Sequence, residues 1–276
     1  MKPRRHGPQN GFSLVELMTA LAILVVICGV AFELLFVSMK KYHSDSQLLN
    51  SFQEARFGLD QIVRDINDSG YPPRNEFQGN VTPQPWTYAA TPFAWSGTIY
   101  PTSPCSIGTT CTTPNGYDLI IETDIDPQNK SATNQLEWIR YQLQGTTLFR
   151  GVVAKDNSAT PDPDPLTSGP ELVPYIQNVM NNPSPAQLAA LQAAYPSMFP
   201  GGNPVPLFQY YCESTPQPVR CDGSSPGLPP PAYPDPQHVV SVVVTLIVQA
   251  PSSDMQTGRP LVVQLQGVGR RLNPDY

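Results

Sequence analysis

Histidine is nearly missing from this chain: His6, His43 and His238 are the only three in 276 residues. None stands at metal-ligand spacing from a cysteine or another histidine, and there is no C-x-x-C, H-E-x-x-H, G-x-S-x-G or glycine-rich phosphate loop. No catalytic constellation can be read, no metal-ligand group is expected, and the chain is not expected to be an enzyme. Charge is scarce too, at 14% of residues, and basic charge is scarcer than acidic: 16 Lys and Arg against 22 Asp and Glu give a formal −6. Lys2, Arg4 and Arg5 sit in the first eleven residues, which hold no acid, so the remainder is more acidic still. A nucleic-acid partner requires clustered cations facing phosphates, and none is expected.

What the chain does have is unevenly placed. Residues 1 to 11, MKPRRHGPQNG, are basic and polar, and then FSLVELMTALAILVVICGVAFELLFVS begins abruptly. From Leu17 to Phe32 there is no charged side chain, and with its flanks the apolar block is long enough to cross a bilayer as a helix. A secretory signal would place its small-residue cleavage site after the apolar stretch, whereas the one plausible cut here, Gly11 to Phe12, precedes it. Cations at both ends, Lys2, Arg4 and Arg5 before and Lys40 and Lys41 after, hold the N-terminus inside by a small margin. Glu16 is the anomaly. A carboxylate inside such a block costs a few kcal/mol by insertion scales, so it calls for a partner. If the chain is cut after Gly11, the new α-amine of Phe12 is a cation in the same layer; snorkelling to the headgroups is the plainer alternative.

Gly11, Phe12, Ser13, Leu14, Val15 and Glu16 resemble the G-F-[ST]-L-x-E prepilin signal of type IV pilins and type II secretion pseudopilins. The resemblance implies that a membrane-embedded prepilin peptidase cuts after Gly11 and methylates the amine of Phe12. It implies also that Glu16 pairs with the amine of an adjacent subunit during assembly on an inner-membrane platform, with the head in the periplasm. Many major pilins carry a proline two-thirds of the way through the span, where this chain has Gly29 and Glu33. Glu33 falls roughly 25 Å from Glu16 along a helix, near the opposite interface.

Beyond the apolar block the pattern turns amphipathic. Leu48, Phe52, Ala55, Leu59, Ile62 and Ile66 recur on one face, and the helix is expected to end near Ser69, with Gly70 as cap and Pro72 and Pro73 preventing continuation. One helix from Phe12 to Ser69 would be about 87 Å long. Strand-like runs follow at Tyr117 to Thr123, Leu136 to Leu143, Thr147 to Val153, Leu207 to Cys212, His238 to Gln249 and Leu261 to Val268. Gly145 marks a hairpin between the second and third, and Val240, Val242, Val244, Leu246 and Val248 give one apolar face. A short inserted helix is expected within residues 183 to 195. Most of the 33 prolines fall in residues 72 to 104, 160 to 174 and 196 to 236, which read as long exposed loops. The fold class is thus α+β: a long N-terminal helix packed on an antiparallel sheet. The expected divisions are a cleaved leader at 1–11, a membrane and assembly helix at 12–37, an amphipathic helix at 38–69 and a β-rich head at 70–276.

Cys28 lies inside the apolar block; Cys105 with Cys111, and Cys212 with Cys221, form two short-spaced pairs. That spacing suits disulfides in an oxidising compartment, each contributing roughly 2 to 3 kcal/mol by chain entropy, with free or crossed thiols as the alternative. PGLPPPAYP, Pro226 to Pro234, could serve as a polyproline ligand but reads better as a stiffened loop. No cofactor is expected. Calcium, which some pseudopilins bind, would find carboxylates at Asp156 to Pro165 and Thr123 to Asp126, neither with EF-hand spacing.

IRYQLQGTTLFRGV, then LFQYYC, then VVSVVVTLIV resemble the strand order of W-type minor pilins and J-type pseudopilins, although the proline-rich insertions depart from it. The implied function is a minor tip or priming subunit of a type IV pilus. The alternatives are a minor pseudopilin of type II secretion and a pilus-borne adhesin or binding module. The implied partners are prepilin peptidase, other pilins or pseudopilins, and the membrane.

Overall fold

The computed structural model describes residues 13–74, 86–96, 100–125, 136–155, 171–253 and 258–272. The leader, with Lys2, Arg4, Arg5, His6 and Gly11, lies outside them, as do Phe12, Asp126 and the run from Asp156 to Pro165. Two compact units are distinguished, one through Gln47 and one from Leu48 onward.

Helix α1 runs from Leu14 to Asn67. In the first unit its large apolar side chains, from Leu14 to Met39, are all exposed. In the second unit the expected stripe turns inward: Ala55, Leu59, Ile62 and Ile66 are buried. The helix end is fixed by hydrogen bonds to both parts of the head. The Thr123 hydroxyl donates to the Asp68 carbonyl at 2.8 Å, the Arg270 amide to Asn67 Oδ1 at 2.8 Å, and the Gly70 amide to the Glu122 carbonyl at 2.8 Å. Gly70 makes that last bond at φ 80°, a left-handed conformation that side chains with a Cβ adopt at a cost.

Among the described residues nine strands follow: β1 Phe93–Ala94, β2 Asp118–Thr123, β3 Glu137–Gln144, β4 Thr147–Ala154, β5 Val173–Ile176, β6 Phe208–Cys212, β7 Val219–Arg220, β8 Val239–Ser253 and β9 Pro260–Arg270, with α2, Pro185–Ala194, between β5 and β6. They form two antiparallel sheets, β1-β2-β3-β4-β5 and β7-β6-β8-β9, where the sequence suggested one. The short strands β1, β5 and β7 carry too few residues to show an alternating pattern. β5 also overlaps a stretch read as loop, and Pro174 is tolerated there because β5 is an edge.

Both sheets and the α1 stripe share one core. Leu119, Ile121, Ile139 and Leu148 come from the first sheet; Phe208, Val242, Val244, Leu246 and Val248 come from the second. β8 is buried on its other face as well, because Ile247 packs with Met180, Leu191 of α2 and Phe199. The fully buried Asn181 ties this layer down: its amide nitrogen donates to the carbonyls of Thr245 (2.7 Å) and Val205 (3.2 Å), and its Oδ1 accepts the Ile247 amide (2.9 Å). Cys105 is joined to Cys111 and Cys212 to Cys221, with Cα atoms 4.9 Å and 5.0 Å apart.

The helix approaches the second sheet closely because β9 has no side chains at two inward positions. A Cβ on Gly267 would stand 2.8 Å from Val63 Cγ2, and one on Gly269 would overlap Ile66. Gly269→Val should therefore destabilise the head by about 1–3 kcal/mol through overpacking. Urea unfolding of the fragment beginning at Leu48 measures this; an unchanged midpoint would mean that the helix is free to move aside.

Candidate functional site

The first described residues form a closed local structure. Ser13 precedes the first helical residue, and its hydroxyl accepts the Val15 amide at 3.2 Å. Glu16, three residues on, reaches back so that Oε2 accepts the Ser13 amide at 3.0 Å. This is a close variant of the capping box, with the Ser13 hydroxyl on the second helical amide instead of the third, and it satisfies two amide donors that a helix start otherwise leaves open. The negative carboxylate also stands at the positive end of the helix dipole. Among the described residues, Glu16 Oε1 accepts no hydrogen bond. Ser-x-x-Glu was visible in the sequence as a capping signal, yet the expectation for Glu16 rested on a charge partner alone.

From this cap the helix continues into the fully exposed apolar stretch, which is long and apolar enough to cross a membrane. Cys28 is a free thiol within it. Lys40, at its far end, lies 4.4 Å from the centre of the Phe36 ring. Glu33 lies on the same helix, 17 residues after Glu16.

In the head the histidine resolves into a structural role. Asp235 caps the 3-10 turn Pro236–His238, accepting the amides of Gln237 and His238 at 3.0 and 3.2 Å, and its Oδ1 meets His238 Nδ1 at 2.8 Å. Tyr233 stacks on the imidazole with ring centres 4.7 Å apart. No group of three or more metal-ligating side chains occurs among the described residues.

Three polar clusters stiffen the sheets. Arg140 holds Asp118 with two bonds, Nε to Oδ1 at 3.0 Å and a terminal nitrogen to Oδ2 at 2.6 Å, and Gln142 adds a third at 2.8 Å. Asp65, on α1, accepts from the Tyr141 hydroxyl at 2.6 Å and from Arg150 at 3.0 Å, while Arg150 Nε also donates to the Tyr141 oxygen at 2.9 Å. This cluster links the helix to the first sheet. The third cluster is Glu122 with Lys155. Beside the end of α1 a cleft is lined by Asp65, Asp68, Tyr71, Asp124 and Leu272. Burial, reinforced by the charge of Asp65 and opposed by Arg64, raises the Asp68 carboxyl above the ordinary range.

Residues 7–32 match the family model for the prokaryotic N-terminal methylation motif. No curated protein matches the chain. Among solved structures, the type IV-like pilin TTHA1219 from Thermus thermophilus is similar at 9% identity and a TM-score of 0.38, over 81% of this chain and 96% of that one. A likeness of that degree carries no weight for function.

Alkaline pH should weaken the head. Burial raises the Tyr141 phenol above its usual pKa, and Asp65 adds to the shift; burial followed by Asp118 does the same for Tyr210. The folded state keeps protons that the unfolded chain releases near pH 10, so this stability is intact below about pH 10. It falls above that by about 1.4 kcal/mol per pH unit for each tyrosine. Urea titrations at successive pH values should show the decline, and Tyr141→Phe should make it shallower; an equally steep decline would remove Tyr141 from the account.

Proposed function

We propose that this chain, whose N-terminus carries the methylation motif of the type IV pilin-like family, is a prepilin that becomes a minor, tip-type filament subunit. The observation that carries the reading is the continuity of three features. The matched motif contains the Gly11 to Phe12 junction, Glu16 stands at the helix N-terminus, and the apolar stretch behind it is exposed throughout. Prepilin peptidase would cut after Gly11 and methylate Phe12. The new amine would then lie one residue from the Ser13 amide that Glu16 already accepts.

Assembly follows from that position. In the free subunit Glu16 Oε2 serves its own helix, and Oε1 remains for a cation from outside the described residues. An amine donated by the next subunit would neutralise a carboxylate that is otherwise expensive in the membrane. Such a head-to-tail contact propagates as a helix rather than closing on itself. The chain would thus be anchored in the inner membrane with its head in the periplasm before it enters the filament, alongside other pilins. The minor position is supported by the large head, with its two sheets, added helix α2 and proline-rich connections, which would pack poorly along a repeating shaft.

The mature chain should begin with N-methylated Phe12 by mass spectrometry, and Gly11→Glu should keep the leader. Glu16→Ala should be processed but depleted from sheared filaments. Immunogold label on the head should concentrate at filament ends. Label spread evenly along the shaft would contradict the tip position, and an intact leader on the wild-type chain would contradict the prepilin reading.

A further inference from the structure

Glu122 and Lys155 are both fully buried, at 0% exposure, and Lys155 Nζ lies 2.5 Å from Glu122 Oε1. Burying two opposite charges costs several kcal/mol per ion, and joining the two groups in a neutral amide would remove both charges from the interior. The approach lacks the alignment of a hydrogen bond on Oε1. The other carboxylate oxygen is placed differently. Oε2 accepts the Ala90 amide at 3.0 Å, the Thr91 amide at 3.1 Å and the Tyr100 hydroxyl at 2.7 Å. Three fixed donors on one oxygen, with an amine beside the other, form the geometry of an oxyanion hole next to a nucleophile.

The surroundings exclude water. Trp138 pairs with Glu122 across β2 and β3, and Trp138, Trp95, Tyr100 and Ile120 form a buried cluster on this side of the first sheet. Val153, two residues before Lys155, packs on the same cluster. We propose that Lys155 and Glu122 form an intramolecular amide, a covalent tie between β2 and the end of β4. Proton transfer within the pair gives the neutral amine and the carboxylic acid. The amine lone pair attacks Cδ, and the negative charge that develops on Oε2 is held by Ala90, Thr91 and Tyr100. Collapse of this intermediate breaks the Cδ–Oε1 bond; Oε1 leaves with two protons that originated on Lys155, as water. The Nζ–Cδ bond replaces the ion pair with no oxidant or other reactant. Exclusion of water from the cluster then protects the amide from hydrolysis.

The tie would cross β3 and fasten the two flanking strands, so it would hold the first sheet against pulling and proteolysis independently of the disulfides. The test is the mass of the purified full-length chain after reduction and denaturation. It should be lighter by one water than its sequence and N-terminal processing require. Proteolysis should release a branched peptide joining the segment with Glu122 to the segment with Lys155. Lys155→Met and Glu122→Ala should each restore the unreduced sequence mass and linear peptides. The wild-type measurement does not depend on whether those variants fold. A wild-type chain at full sequence mass with linear peptides only would overturn the proposal, as would a water loss that persists in Lys155→Met.

Discussion

The close contact of α1 with β9 sets much of the head. Because Gly267 and Gly269 have no side chains, Leu59, Val63 and Ile66 can seat against the strand, and the inward face of the helix becomes the shared floor of two sheets. That depth brings Asp65 within reach of Tyr141 and Arg150 on the first sheet, and Asn67 within reach of the Arg270 amide on the second. A bulkier residue at either glycine would disturb packing and polar ties together, since the side chains that would have to move belong to the turns of α1 that carry Asp65 and Asn67.

At the other end of the same helix the constraint is electrostatic. An apolar stretch suited to a membrane is opened by a carboxylate, and the capping box gives that carboxylate a use within its own chain. On the proposed assembly, capping and pairing would not compete. One oxygen completes the helix start, and the cap holds the side chain in one place, so a cation arriving from a neighbour would meet an ordered acceptor rather than a mobile one. This preorganisation would lessen the entropy lost on pairing.

Much of the architecture was legible because periodicity is a long-range signal. The α1 stripe, the hairpin of β3 and β4 around Gly145, and the pair β8 and β9 all repeat over enough residues to be read. The division into two sheets was not legible. It depends on β1, β5 and β7, which are two to four residues long, and on the burial of the second face of β8 by α2 and Asn181. Buried polar residues were the least visible. Glu122 is next to last in an ordinary strand-like run and Lys155 follows another, and nothing local marks two charged residues as fully enclosed. Glu16 lies between these cases: its position in a recognisable motif was plain, but its backbone partner emerged only with the helix start in place.

The central claim is that the charge of Glu16, beyond its capping hydrogen bond, drives entry into the filament. Glutamine at this position can still accept the Ser13 amide and complete a capping box, but it cannot pair ionically with an amine. The direct measurement is therefore the fraction of Glu16→Gln chains recovered in sheared filaments relative to wild type, with leader removal measured on the same cells. The account predicts normal leader removal and a loss of incorporation as severe as in Glu16→Ala. Incorporation of Glu16→Gln at the wild-type level would contradict it, leaving Glu16 as a helix cap.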